Sequence, residues 1–216
     1  MRTNYIEQLK QLNVQVKEMG MLCENAISLL TKSLVKKDDD EFGTIHEIET
    51  KIDQKERDIE NLCMKLILKQ QPVASDLRLV SSALKMVSDM ERIGDQAADI
   101  AELIPYIQDV QGECISDISD MAVAAIKMVT ESVECFIKGD MAKTKEVIEY
   151  DDVIDNLFNK VKNDLTKLIV SEKQVSEACL DLLMIAKYFE RIGDHATNIA
   201  EWVYYSITGF RYEYEK

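Results

Sequence analysis

Residues 91–102 read Glu-Arg-Ile-Gly-Asp-Gln-Ala-Ala-Asp-Ile-Ala-Glu, and residues 190–201 read Glu-Arg-Ile-Gly-Asp-His-Ala-Thr-Asn-Ile-Ala-Glu, so nine of twelve positions agree at an offset of 99. The same offset recurs early in each half, where Ala26, Ile27 and Thr31 pair with Ala125, Ile126 and Thr130. Between these, Glu49, Ile52 and Asp53 pair with Asp151, Ile154 and Asp155 at an offset of 102, a shift that small length differences in turns accommodate. Three matches in the same order mark a tandem duplication. The 216 residues therefore read as one unit folded twice, over residues 1–110 and 111–216.

The hydrophobic periodicity within each unit is helical. Leu9, Leu12, Val16, Met19, Cys23, Ala26 and Leu30 follow alternating steps of three and four, the seam of an antiparallel bundle. This predicts a first helix over residues 3–36, stopping at the Lys36-Lys37-Asp38-Asp39-Asp40 run, where cations suit a helix C-terminus and aspartates the next N-terminus. A second helix, with Ile45, Ile48, Ile52, Ile59, Leu62 and Leu66 on its seam, runs to Lys69 and is closed by Gln71-Pro72. A third covers residues 73–108, with Pro105 fraying its last turn.

After Gln111-Gly112 the plan repeats. A fourth helix carries Ile115, Ile118, Ala122, Ala125 and Val129 and ends at Lys138-Gly139. A fifth runs to Val170, and a sixth covers residues 175–206 after a turn at 171–174. The expected fold is all-α: six long helices forming two tandem three-helix bundles. Seven Gly and two Pro in the whole chain are too few for the frequent turns of a β protein.

With 40 Asp and Glu against 26 Lys and Arg, the net charge is −14, which disfavours nucleic acid and anionic membrane surfaces as partners. Cys23, Cys63, Cys114, Cys135 and Cys179 are odd in number, far apart and never CxxC; this pattern suits free thiols in a reducing cytoplasm. Arg2, Glu7 and Lys10 leave no apolar stretch for a signal peptide at the N-terminus. No apolar run is long enough for membrane insertion.

Each unit holds two pairs of the form acid-x-x-x-Asp. They are Glu49/Asp53 and Glu91/Asp95 in the first unit, and Asp151/Asp155 and Glu190/Asp194 in the second. The i, i+4 spacing puts each pair on one helix face. Counted from the intervening turn, both pairs of a hairpin stand at about the same height, some 25 Å along the helices. On the third helix the stripe Leu77, Val80, Leu84, Val87 continues by the same step into Glu91, while Met86, Met90, Ile93, Ala97 and Ile100 form a second stripe for the core. Gly94 and Gly193 sit mid-helix, where glycine costs about 1 kcal/mol relative to alanine. Such a residue suits close approach of another helix or a ligand.

Clustered carboxylates raise one another's pKa unless a cation neutralises them. Their hard oxygens suit Mg²⁺, Ca²⁺, Mn²⁺ or iron. The expectation is a metal ion or small cluster in each unit, held by these eight acids. The same spacing also suits a solvated face on which Arg92 and Arg191 pair with neighbouring acids. His195, replaced by Gln96 in the first unit and turned away from Glu190, reads as exposed or helix-packing, and His46 as surface. Asp99, Asn198, Glu102 and Glu201 share the acidic face. The aromatic tail, with Trp202, Tyr204, Tyr205, Phe210, Tyr212 and Tyr214, is expected to pack on its own bundle.

The repeated Glu-Arg-Ile-Gly-Asp-(Gln/His)-Ala-x-x-Ile-Ala-Glu motif resembles the PhoU family of phosphate-uptake regulators, and Gln71-Pro72-Val73-Ala74-Ser75-Asp76-Leu77-Arg78 resembles its turn and helix start. The resemblance spans nearly the whole chain. It implies a cytoplasmic, non-enzymatic regulator, often a homodimer, that damps phosphate import and starvation signalling. The implied partners are the ATPase of a phosphate-specific ABC transporter and a phosphate-sensing histidine kinase. The family's metal motif, acid then three residues then Asp, carries over to the eight acids above. It implies iron, zinc or other ions in multinuclear clusters. Gln96 stands where the family's first motif has histidine and Asp99 where it has asparagine, so equal metal content in the two units is not implied.

The competing function is a carboxylate-bridged metalloenzyme or a metal-storage bundle. Such an enzyme needs Glu-x-x-His on two helices, and Gly43 and Ile192 stand three residues before His46 and His195. Direct capture of phosphate is disfavoured, since the chain has no Gly-rich loop and no Arg cluster.

Overall fold

A computed structural model describes residues 2–36, 41–70, 72, 74–107, 113–171 and 176–213. The helices are α1 (Arg2–Lys36), α2 (Phe42–Gln70), α3 (Ser75–Leu103), α4 (Glu113–Lys138), α5 (Met141–Glu149), α6 (Asp151–Ser171) and α7 (Ser176–Thr208). A 3-10 turn over Ile104–Ile107 extends α3. It holds Pro105, whose missing N–H and fixed φ disrupt the α ladder at that point. The expected junctions at 37–40, 111–112 and 172–174 lie outside the described residues, as do Gln71 and Val73.

The seams are the core. Leu12, Val16, Met19, Cys23, Ala26 and Leu30 of α1 are buried, as are Ile45, Ile48, Ile52, Ile59, Leu62 and Leu66 of α2. On α3 the stripe from Met86 to Ile100 is fully buried, whereas Leu77 at the start of the other stripe is exposed. Gly139 closes α4 at φ +65°, a conformation open to glycine, and its N–H donates to the Cys135 carbonyl at 2.8 Å.

The expected fifth helix is broken at Tyr150. The Tyr150 N–H is shared between the carbonyls of Glu146 and Val147, and Val153 N–H donates to the Tyr150 carbonyl at 3.0 Å, so the backbone tightens for one turn. The Lys127 ammonium sits 3.5 Å from the Tyr150 ring centroid and ties the break to α4. Asp151 and Asp152 open α6, where their charge suits the positive end of the helix dipole. That pair of aspartates was the sequence signal for the break.

Helices α1, α2 and α3 pack as one bundle, and α4, α6 and α7 as the other, with α5 against α4 and α7. The copies meet through α3 against α7 and α1 against α4, and the α3–α7 contact is the most extensive in the molecule. Both motif helices therefore lie at the centre, each with one face on its own bundle and another on its copy.

Candidate functional site

The antiparallel hairpin of α2 and α3 brings Ile52 onto Gly94, where an added Cβ would stand 3.1 Å from Ile52 Cδ1 and 3.2 Å from its Cγ2. In the second unit Ile154 lies over Gly193, with distances of 2.9 and 3.1 Å to the same two atoms. The close approach expected at the mid-helix glycines is thus another helix, and the same isoleucine contact is built twice. Ile52 precedes Asp53 and Gly94 precedes Asp95, so this contact sets the register of the acids.

In the first unit Glu49, Asp53 and Asp95 each offer a carboxylate oxygen, and the three atoms lie within 4.8 Å of one another; no other such group of three occurs among the described residues. Glu91 stands just outside it, with its carboxylate 3.4 Å from Arg92. Arg92 also bonds Asp95 at 2.9 Å, and Arg57 lies 3.6 Å from Asp53. The solvated-face pairing foreseen for Arg92 is therefore present along the rim. Burial pushes the Glu49 carboxyl above the usual glutamate range, and repulsion from Asp53 and Asp95 adds to it. Burial raises Glu91 too, followed by repulsion from Asp95.

In the second unit Asp151, Asp155, Glu190 and Asp194 are near enough to repel one another, but no three of their oxygens converge as closely. Asp151 accepts a hydrogen bond from the Thr197 hydroxyl at 3.0 Å, and the Lys187 ammonium is bonded to Glu190. Burial raises Asp151 and pushes Asp194 up to about 6, with repulsion from Glu190 next for Asp194. Asp194 as a whole residue is exposed, so water screens part of that repulsion. Arg191 is not a counterpart of Arg92, since its guanidinium lies over the Tyr188 ring, 5.8 Å from the centroid.

Four residues at these sites were missed in the acid-x-x-x-Asp pattern. Glu56, one turn beyond Asp53, adds its charge to the repulsion on Glu91. Lys187, three residues before Glu190, was legible as a same-face neighbour. His46, three residues before Glu49, lines a cavity of about 380 Å³ with Glu49, Arg92, Asp95, Gln96 and Asp99, so it is less peripheral than a surface histidine. Gln96, 9% exposed, contributes an Oε1 that has no hydrogen-bond partner.

His195 packs between helices, as one of its two expected readings has it. Its Nδ1 lies 2.9 Å from Asp89 of α3, and the Asn198 amide donates to the same carboxylate oxygen at 3.2 Å. Across the duplication Asp89 corresponds to Tyr188, which stands beside Asp99. The motif differences at Gln96 and Asp99 are thus matched by a different partner on the facing helix. In the tail, Tyr204 and Tyr212 meet edge to face at 5.3 Å and Arg211 covers Trp202 at 4.1 Å. The tail packs on α7 as expected, with Phe210 left exposed; Tyr214 lies outside the described residues.

Comparison with known proteins agrees with this architecture. The family model described as PhoU domain matches twice, over residues 16–104 and 118–203. The chain is 32% identical over 203 residues to the phosphate-specific transport system accessory protein PhoU homolog of Clostridium acetobutylicum, covering 93% of each. It is 34% identical over 210 residues to the homolog of the same name from Synechocystis sp., covering 96% of this chain and 93% of the relative. These relatives are named as accessory proteins and not as enzymes. The crystal structure of PhoU from Pseudomonas aeruginosa superposes with a TM-score of 0.90 at 29% identity, covering 95% of this chain and all of that one. The family-model matches span most of the chain in the two places where the duplicated bundles lie, and the chain belongs to the PhoU family.

Proposed function

We propose that this protein is an accessory regulator of phosphate-specific transport that acts by protein contact rather than by catalysis. The observation that carries this reading is full-length similarity to relatives named as accessory proteins of that system. The two units, 1–110 and 111–216, form one scaffold whose partners are the transporter ATPase and a phosphate-sensing histidine kinase, with a homodimer as the working form in the cytoplasm. No helix among the described residues is long and apolar enough to cross a membrane, which agrees with action through a membrane-bound partner. The net charge of −14 suits basic protein surfaces.

The regulator carries metal on its carboxylates. The donors are hard oxygens, three of them converge within 4.8 Å, and the buried Gln96 Oε1 beside them lacks a partner. This set fits a divalent or trivalent cation, iron or zinc as well as Mg²⁺, Mn²⁺ or Ca²⁺. Glu49, Asp53, Glu91 and Asp95 hold it in the first unit, and Asp151, Asp155, Glu190 and Asp194 in the second. A bound cation would cross-link α2 to α3 and α6 to α7 and would offset the repulsion that adds to burial in raising Glu49, Glu91, Asp151 and Asp194.

Deletion of the chain's gene from its host is expected to derepress phosphate uptake, and affinity capture of the native protein to enrich the transporter ATPase. Unchanged uptake in the deletion strain would sink the regulatory reading. Elemental analysis of protein purified without chelator, against Glu91→Ala combined with Glu190→Ala, checks the metal; equal content in both would remove it.

A further inference from the structure

The two carboxylate groups descend from one ancestor but differ at two positions that face them. In the pairing that aligns Glu49 with Asp151, Glu56 corresponds to Phe158; in the pairing that aligns Glu91 with Glu190, Ser88 corresponds to Lys187. The first unit thus holds an acid and a hydroxyl where the second holds an aromatic ring and an ammonium. Ser88 stands beside Glu56 and favours its charged form, against the burial that raises its pKa. Lys187, in their place, bonds Glu190 and lies 5.4 Å from the centroid of Phe158. The Glu190 side chain is only 13% exposed under it. An ammonium on so covered a carboxylate is held by charge and by the ring face together.

The first unit has cations nearby as well, but they are placed differently. Arg57 and Arg92 are 52% and 61% exposed and lie along the rim of their own helices. Each takes one carboxylate oxygen, of Asp53 at 3.6 Å and of Asp95 at 2.9 Å, yet Glu49, Asp53 and Asp95 still bring one oxygen each within 4.8 Å of one another, and Gln96, whose Oε1 is unpartnered, lines the same cavity. In the second unit Lys187 is 37% exposed and holds an oxygen of a carboxylate that is only 13% exposed, against 31% and 33% for Asp95 and Asp53 under their arginines.

We propose that Lys187 is the resident cation of the second unit, which a metal ion must displace, so that divalent metal loads the first unit before the second. The inference rests on the metal-binding reading given above and deepens it: the cations of one unit are exposed arginines on its rim, while the other is guarded by a more covered lysine. Metal occupancy then has two stages set by concentration. Displacement frees a lysine and alters the surface of α6 and α7 only at the second stage.

The test is equilibrium dialysis of metal-free protein against Mn²⁺, with bound metal measured by atomic absorption. The wild type is expected to show two affinity classes at least about tenfold apart, a difference of ~1.4 kcal/mol. With the first unit disabled by Glu49→Gln and Asp95→Asn, adding Lys187→Ser is expected to tighten the remaining Mn²⁺ binding about tenfold, while Lys187→Arg leaves it unchanged. Serine is the residue of the aligned position, and far-UV circular dichroism checks folding; Lys187→Gln repeats the charge removal with a longer side chain. In metal-free protein Lys187→Ser is expected to lower the Tm, and Lys187→Arg to keep it. Mn²⁺ bound with equal affinity by both units, or unaffected by loss of Lys187, overturns this inference and leaves the metal reading standing. Absence of Mn²⁺ from wild type and every variant overturns both.

Discussion

Gly193 and Ile154 meet so closely that a Cβ on the glycine would lie 2.9 Å from Ile154 Cδ1 and 3.1 Å from its Cγ2, and the isoleucine would have to shift. Helix propensity favours alanine there by about 1 kcal/mol, while overpacking costs about 1–3 kcal/mol, so packing wins. Gly193→Ala is expected to lower stability by about 1 kcal/mol, or roughly 2–4 °C in Tm for a chain of this length. Ile154→Val shortens the clashing arm, so the double variant is expected to be more stable than the sum of the two single losses. Strict additivity in thermal melts would show that the contact is not the cause. Gly94→Ala, with Ile52 slightly further away at 3.1 Å, is expected to lose less.

Glu49 has its carboxyl raised by burial and by Asp53 and Asp95, and it is part of the tightest group of oxygens. In metal-free protein Glu49→Gln is therefore expected to raise the Tm slightly, by roughly 1–3 °C, because one repelling charge is gone. With Mn²⁺ present the sign reverses. A ligand at about 100 times its Kd stabilises the native state by about 2.7 kcal/mol, and the variant forfeits most of that. Differential scanning fluorimetry with and without Mn²⁺ reads both signs, and a variant that is less stable in both conditions contradicts the repulsion.

Asp140 caps α5. Its backbone is extended at φ −85°, ψ 99°, and its side chain accepts the Lys143 N–H at 3.1 Å. Asp140→Ala is expected to cost about 1 kcal/mol, and Asp140→Asn or Asp140→Ser much less, since each keeps an oxygen acceptor. The helix is only nine residues long, so its cap contributes a large share of its local order. Urea midpoints of the three variants make the comparison; an alanine variant equal to serine would show the cap to be idle.

All five cysteines are buried, and burial pushes the Cys23 and Cys63 thiols from an ordinary value near 9 up to about 12. The thiolate is the nucleophile, so native protein at pH 8 is expected to resist iodoacetamide while urea-unfolded protein takes up five equivalents. A raised folded pKa means that the neutral thiol is favoured in the fold. The contribution of these thiols to stability is whole below about pH 9 and is lost as the pH rises toward 12, because the unfolded chain releases its protons first. Mass spectrometry after timed alkylation checks the reactivity. Rapid labelling of Cys23 in folded protein would mean that α1 opens from the core.

The duplication, the six helical stretches and the core stripes were all legible in residue order. A helix repeats every 3.6 residues, so spacing along the chain is already position around the axis. The break at Tyr150 was harder to see, because hydrophobic periodicity continues across it; only Asp151 and Asp152 signalled a new N-terminus. Spacing likewise placed eight acids on α2, α3, α6 and α7, of which the structure brings Glu49, Asp53 and Asp95 together.

Residue order alone did not decide what those acids do to one another. Convergence of Glu49, Asp53 and Asp95 depends on the separation of two helices, set by Ile52 on Gly94. Whether an acid meets a lysine, as Glu190 meets Lys187, depends on which rotamers the packed hairpin leaves open. Asp89 and His195 lie 106 residues apart, and their contact follows from the docking of α3 on α7. The sequence by itself determined a chain of helices built twice, with paired acids on particular faces, because that information is local and periodic. Of the inequality between the two carboxylate groups, Lys187 on Glu190 is an i,i+3 pair whose nearness spacing within α7 encodes, whereas the convergence of Glu49, Asp53 and Asp95 was decided by tertiary structure, because it arises between two helices.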